Sequence, residues 1–214
     1  MIRSTLPVLV AASLLSTTAA AGVLDSFEGA AVGDTADGGG TVVDTAPGIT
    51  DGNQAVRDTL DGSTYDKIAG TGFGAAPAGT VFTDFQVDVF AEDITGGFAQ
   101  VVAGFFFNSD SSFDQVDGSK EPDGVGGDSF LGNPVASQFT LTYTAAQDPT
   151  AFAKINSEFA AGNAINFGIY VNKSAATTGT FTVDNFRFNT VPEPGSFALI
   201  GLGGLALVAR RRRH

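Results

Sequence analysis

The sequence predicts an all-β fold, a jelly-roll-like β-sandwich of about eight strands with one short helix. Three observations point there. Phenylalanine (19) and glycine (28) are abundant and Thr and Val recur, a composition that suits strands parted by tight turns. Between Thr80 and Ala91 the chain alternates, with Val81, Thr83, Phe85, Val87 and Val89 on one face and Asp84, Gln86 and Asp88 on the other. Ile165, Phe167, Ile169 and Val171 alternate in the same way with Asn166, Gly168, Tyr170 and Asn172.

In chain order, strands are expected at 23–28, 41–44, 54–60, 80–91, 98–108, 137–144, 165–172 and 180–189. Phe105-Phe106-Phe107 is apolar on both faces, which suits a strand buried on both sides or central in its sheet. The one helix is expected at 150–161, where Phe152, Ile155 and Phe159 form a stripe at spacings of three and four. Asp148 supplies an N-cap and Pro149 a favourable first turn. At Asp184-Asn185 the alternation changes phase, since Phe181 and Val183 give way to Phe186 and Phe188; that hints at a bulge.

Both ends of the chain have a different character. Residues 191–196 read Val-Pro-Glu-Pro-Gly-Ser; an apolar run follows to Ala209, then Arg210, Arg211, Arg212, Arg213 and His214. Arginines flanking an apolar segment resist translocation, so the run acts as a stop with the Pro-rich motif held just outside the bilayer. As a helix, residues 196–209 reach only about 21 Å, against roughly 30 Å of hydrocarbon. Gly201, Gly203 and Gly204 weaken that helix further. A marginal span suits a temporary anchor. At the other end, Arg3, an apolar stretch from Leu6 to Leu15 and Ala19-Ala20-Ala21 have the order of a secretory signal peptide cut after Ala21. The chain therefore divides into a signal peptide at 1–21, a sandwich at 22–190 and a C-terminal segment at 191–214.

Val191, Pro192, Glu193 and Pro194, followed by a Gly-rich apolar transmembrane run and the Arg210–Arg213 tail, resemble the PEP-CTERM sorting signal of Gram-negative bacteria. The resemblance implies recognition by exosortase, an integral inner-membrane cysteine protease or transpeptidase. The motif residues would be substrate groups of that enzyme. It also implies an inner-membrane-anchored precursor that is handled by signal peptidase and exosortase and ends at the cell surface or outside the cell.

Charge and residue types narrow what the middle can do. Between the two end segments and through Glu193, six basic residues face all twenty-three acidic ones, a net charge near −17. Nucleic acid is excluded as a partner, because it calls for a basic patch. There is no cysteine, and the one histidine is His214. Thiol nucleophiles, His-based triads and most transition-metal sites are thereby excluded. Carboxylate pairs stay open, but no spacing singles out an acid and its partner, and no enzyme activity is expected.

A second resemblance lies at the two ends of the sandwich. Leu24-Asp25-Ser26-Phe27-Glu28, Asp51-Gly52-Asn53-Gln54-Ala55 and Val183-Asp184-Asn185-Phe186 are similar to the opening and closing strands of carbohydrate-binding-module-like jelly rolls. The resemblance implies neighbouring first and last strands and a structural Ca²⁺ held by Glu28 and Asp184, with Asp25, Asp51 and Asn53 assisting. It also implies sugar binding on aromatic rings. The chain has no Trp and only Tyr65, Tyr143 and Tyr170, of which Tyr170 sits on the polar face of its strand and is the best exposed platform. Asp110, Asp114, Asp117, Glu121, Asp123 and Asp128 crowd one Gly-rich stretch at 108–128, read as a mobile, solvated connection. The expected function is that of an exported surface or matrix protein with a structural or interaction domain. Binding of extracellular polysaccharide is the alternative.

Overall fold

The computed structural model describes residues 20–73, 80–116 and 137–192. In chain order the elements are β1 (Ala20–Asp25), β2 (Thr41–Val43), β3 (Ala55–Thr59), β4 (Tyr65–Phe73), β5 (Thr80–Thr95), β6 (Ala99–Phe107), β7 (Ser112–Val116), β8 (Ser137–Thr144), α1 (Pro149–Ala160), β9 (Ile165–Lys173) and β10 (Thr178–Pro192). All strand pairs are antiparallel. One sheet runs β2-β3-β10-β5-β8, with β1 also on β10; the second runs β4-β9-β6-β7. First and last strands are thus neighbours.

Phenylalanine holds the two sheets together. Phe85 of β5 and Phe186 of β10 meet Phe105 of β6 and Phe167 of β9, with ring centroids 5.1 to 5.4 Å apart. All four are at most 1% exposed. Tilted and edge-on contacts of this kind add about 0.5–1.5 kcal/mol each beyond the area they bury. A chain without disulfides can therefore rest on its core.

Helix α1 closes one end of that core. Asp148 accepts the Ala151 N–H at 2.9 Å, and Phe152, Ile155 and Phe159 are buried, the Phe152 ring lying 5.7 Å from Phe85 and the Phe159 ring 4.6 Å from Phe82. Beyond the point where β8 ends, opposite Asp84, the Asn156 side chain replaces a neighbouring strand. It accepts the Phe82 N–H at 2.7 Å and donates to the Phe82 carbonyl at 3.1 Å.

The structure corrects four expectations. Strand β4 was not foreseen, because Gly70 and Gly72 and a register shift between Lys67 and Ala69 erase its alternation. Strand β7 lies inside the stretch expected to be a solvated connection; residues 112–116 pair with β6, whose phenylalanines offer it a ladder. On β5, Asn189 pairs with Asp84 but Thr190 with Phe82, so Thr83 is an extra residue. That bulge turns Phe82 inward and leaves Val81 and Thr83 half-buried, out of phase with Phe85, Val87 and Val89. Asp88, expected on a solvated face, is 7% exposed, because the chain between Thr50 and Gln54 packs over this part of the sheet. The phase break at Asp184-Asn185 is a bulge as anticipated, with Asn185 at φ 53°.

Candidate functional site

Two clusters stand out, one on each sheet. On the outer side of the first sheet, the Thr50–Gln54 segment is clamped by the two carboxylates named above. Asp184, fully buried, accepts the N–H groups of Thr50 (2.6 Å), Asp51 (2.8 Å) and Asn185 (2.6 Å). Glu28 Oε1 accepts those of Asn53 (2.6 Å) and Gln54 (2.7 Å), lying against Gly52, whose φ of +71° and lack of a Cβ permit the approach. Asp51 and Asn53 thus take part through their backbones. Asp25 lies on β1 opposite Phe186, and its side chain is outside the described residues.

Asp88, which the sequence did not single out, is the cross-strand partner of Asp184. It holds a two-pronged ion pair with Arg187, both contacts at 2.9 Å, and accepts from Thr140 (2.6 Å), Thr50 (2.8 Å) and Asn185 (3.0 Å). Burial alone would raise its pKa, but the donors from Arg187, Thr140 and Thr50 outweigh it and hold the group below 3.8. For Asp184 burial prevails, and its pKa is pushed up despite the backbone N–H groups.

Calcium takes oxygen ligands. Glu28 Oε1 and Asp184 Oδ2 reach one segment, and both are turned toward its N–H groups. Among the described residues no three acidic side chains gather where a metal ion could sit. In this arrangement the two carboxylates serve backbone donors.

The second cluster lies on the outer face of β4-β9-β6-β7. Gly70 of β4, Gly168 of β9 and Gly104 of β6 are in register, a row of residues without Cβ crossing three strands. The side chains of Tyr170, Phe113 and Lys67 fill the space over this floor. A Cβ on Gly104 would meet Tyr170 at 2.5 Å and Phe113 at 2.6 Å, and one on Gly168 would meet Tyr170 at 2.9 Å and Lys67 at 3.0 Å. Tyr170 stacks on Tyr65, with centroids 5.2 Å apart and planes at 23°, and Phe113 meets it edge-on at 5.5 Å. Lys67 Nζ is 5.9 Å from the Tyr170 ring centre and is held by Asp37 at 2.7 Å. Tyr65 is 40% and Phe113 43% exposed, large rings kept at the surface.

Beside this shelf is a polar cleft of about 490 Å³ lined by Gly38, Gly39, Asp58, Thr59, Asp61, Ser63, Tyr65, Asp66 and Lys67. Lys173, whose side chain is fully buried, pins its rim by donating to the Asp61 and Ser63 carbonyls at 2.5 Å each. Burial raises the pKa of Asp58 and Asp66, and pushes Tyr65 up to about 12. The sequence pointed to Tyr170 alone, as the best exposed platform; it is half-buried between Tyr65 and Phe113, and those two are the exposed rings. Tyr65, Lys67 and Phe113 were missed because β4 and β7 were missed, although Tyr65 and Lys67 two apart before Gly70 were a readable signal.

Of the C-terminal motif, Val191 and Pro192 are part of β10, opposite Val81 and Thr80. Glu193, Pro194, the apolar segment and Arg210–Arg213 lie outside the described residues, as do residues 1–19 and the acidic stretch from Asp117 to Asp128. No helix among the described residues is long and apolar enough to cross a membrane.

No curated protein matches the chain. Among solved structures the sandwich is similar to a family 28 carbohydrate-binding module specific for non-crystalline cellulose (14% identity, TM-score 0.41, 74% of this chain and 85% of that one). It is similar too to the family 11 module of the cellulosomal cellulase Lic26A-Cel5E of Clostridium thermocellum (14%, TM-score 0.40, 79% and 94%). A cyclase from Fischerella sp. TAU shows a comparable likeness (13%, TM-score 0.35, 73% and 76%). Residues 190–213 match the PEP-CTERM protein-sorting motif, which implies an exported protein, processed by exosortase and sorted to the cell surface.

Proposed function

We propose that the sandwich is a non-catalytic binding domain for extracellular polysaccharide, carried to the cell surface by its sorting motif. The aromatic shelf of Tyr65, Tyr170 and Phe113 carries this reading. The exposed rings of Tyr65 and Phe113, with the half-buried Tyr170 between them, offer apolar ring surface and two tyrosine hydroxyls, which a pyranose matches with its C–H face and its own hydroxyls. Lys67 and the adjoining cleft supply donors and acceptors at the rim. The charge near −17 on the exported part repels polyanions, so a neutral polymer suits the shelf better than a uronate-rich one.

Affinity electrophoresis through gels cast with neutral polysaccharides, with a glycan array beside it, tests the proposal. Wild-type domain is expected to be retarded, and Tyr65→Ala and Tyr170→Ala are each expected to weaken binding tenfold or more while the domain stays folded by circular dichroism. Equal retardation of wild type and Tyr170→Ala, or no glycan bound at all, defeats it. A purely structural role would then stand.

A further inference from the structure

The sorting motif begins inside a strand. Thr190, 1% exposed, pairs with Phe82 on one side and Ala20 on the other, and Val191 and Pro192 continue the ladder opposite Val81 and Thr80. Glu193 and Pro194 follow at once, and the apolar run starts at Phe197. The five peptide steps from Pro192 to Phe197 span at most about 18 Å when fully extended. The sequence therefore leaves little linker between the end of β10 and the apolar run.

A protease takes its substrate as an extended segment whose own backbone groups are free to pair with the enzyme. Here the first half of the motif already spends them on β5. We infer that the folded sheet gates the sorting enzyme: the motif becomes a substrate only when the end of β10 lifts from Thr80 and Val81. The inference rests on exosortase processing of this chain. It places the slow step in local opening of the sandwich, a subglobal event of the kind strand ends undergo. The proline suits such an end, since it has no N–H to give to the ladder.

Two changes to the full-length chain, followed by pulse-chase and mass spectrometry in exosortase-containing cells, test the gate. A six-residue Gly/Ser insertion between Thr190 and Val191 frees the motif from the sheet and is expected to speed loss of Arg210–Arg213 at least fivefold. Val81→Cys combined with Val191→Cys pins the strand end. Directly opposed residues of an antiparallel pair lie within disulfide reach, and the chain has no other cysteine. The oxidised form is expected to keep its tail and the reduced form to lose it. Equal rates with and without the insertion, or tail loss from the cross-linked form at the reduced rate, overturn the gate while leaving processing intact. Retention of Arg210–Arg213 by wild type and insertion variant alike overturns processing itself, and the gate with it. Retention by wild type alone supports a fully closed gate.

Discussion

Asp184→Ala is the sharpest perturbation of the clamp over the first sheet. The wild-type carboxylate serves the N–H groups of Thr50, Asp51 and Asn185 at 2.6–2.8 Å. Removing it orphans all three, and an unsatisfied buried donor costs about 1–3 kcal/mol. Thr50 is exposed and Asp51 half-buried, so water recovers part of the loss there. Relief of the buried charge, whose pKa burial pushes up, offsets a little more. The net cost comes to roughly 3–5 kcal/mol, a large share of the 5–15 kcal/mol that holds an ordinary domain. At about 2–4 °C per kcal/mol, the melting temperature falls by roughly 6–20 °C. Asp184→Asn keeps one acceptor oxygen and loses about half as much. Thermal denaturation followed by circular dichroism reads all three proteins, each with and without EDTA. Because Glu28 and Asp184 face N–H groups, EDTA is expected to leave the wild-type transition in place. An Asp184→Ala protein melting within about 2 °C of wild type refutes the clamp, and an EDTA-dependent fall reversed by Ca²⁺ shows the two carboxylates turned toward a cation.

Three further outcomes are expected. Tyr143 Oη is buried without a hydrogen-bond partner among the described residues, so Tyr143→Phe gains about 1 kcal/mol, read as a rise of roughly 2–4 °C; a fall would reveal a partner for the hydroxyl. Asn156→Leu deprives Phe82 of both its backbone partners on that side and costs about 1–3 kcal/mol in urea denaturation, with Asn156→Gln restoring little of it. Asp88 has a folded pKa below 3.8, so its contribution is complete above that value and is lost as pH falls through the depressed one; Asp184, displaced upward, loses its penalty in the window just above 3.8. Acid titrations should therefore show the steep limb below pH 3.8 blunted in Asp88→Asn, and an unchanged limb would remove Asp88 from that role.

What the sequence made legible follows from how local each signal is. Strands β5 and β9 and helix α1 declare themselves because one face is buried along nearly their whole length. The bulge at Asp184-Asn185 was visible as a change of phase. By contrast, β4 carries Gly70 and Gly72, which add nothing to an alternation of apolar and polar residues; the space over Gly70 is taken by the Lys67 side chain and that over Gly72 by Asn166. The edge of the shelf is hidden with its strand: Gly70, which ends the row of Gly104 and Gly168, dilutes the pattern that would reveal β4 and with it Tyr65 and Lys67. Asp88 escaped for a different reason. Nothing in the alternation of β5 tells that the Thr50–Gln54 segment folds back over it, and only that cover turns a surface aspartate into the buried partner of Arg187.

The placement of the two ends bears on how the shelf works. Ala20 and Ala21 pair with Thr190 and Asn189, so the strand that follows the N-terminal segment and the strand that enters the sorting motif lie side by side in one sheet. Cutting after Ala21, where the sequence offers a site, withdraws the partners of Asn189 and Thr190 on that side and leaves β10 from there to Pro192 resting on β5 alone. The first cut would loosen the strand end that the second must use. Meanwhile Tyr65, Tyr170 and Phe113 face outward from the other sheet, turned away from β1 and β10. A domain tethered or newly released through Pro192 thus presents the same ring surface in either state, because the strand that is pulled on and the face that would meet polymer are separated by the whole aromatic core.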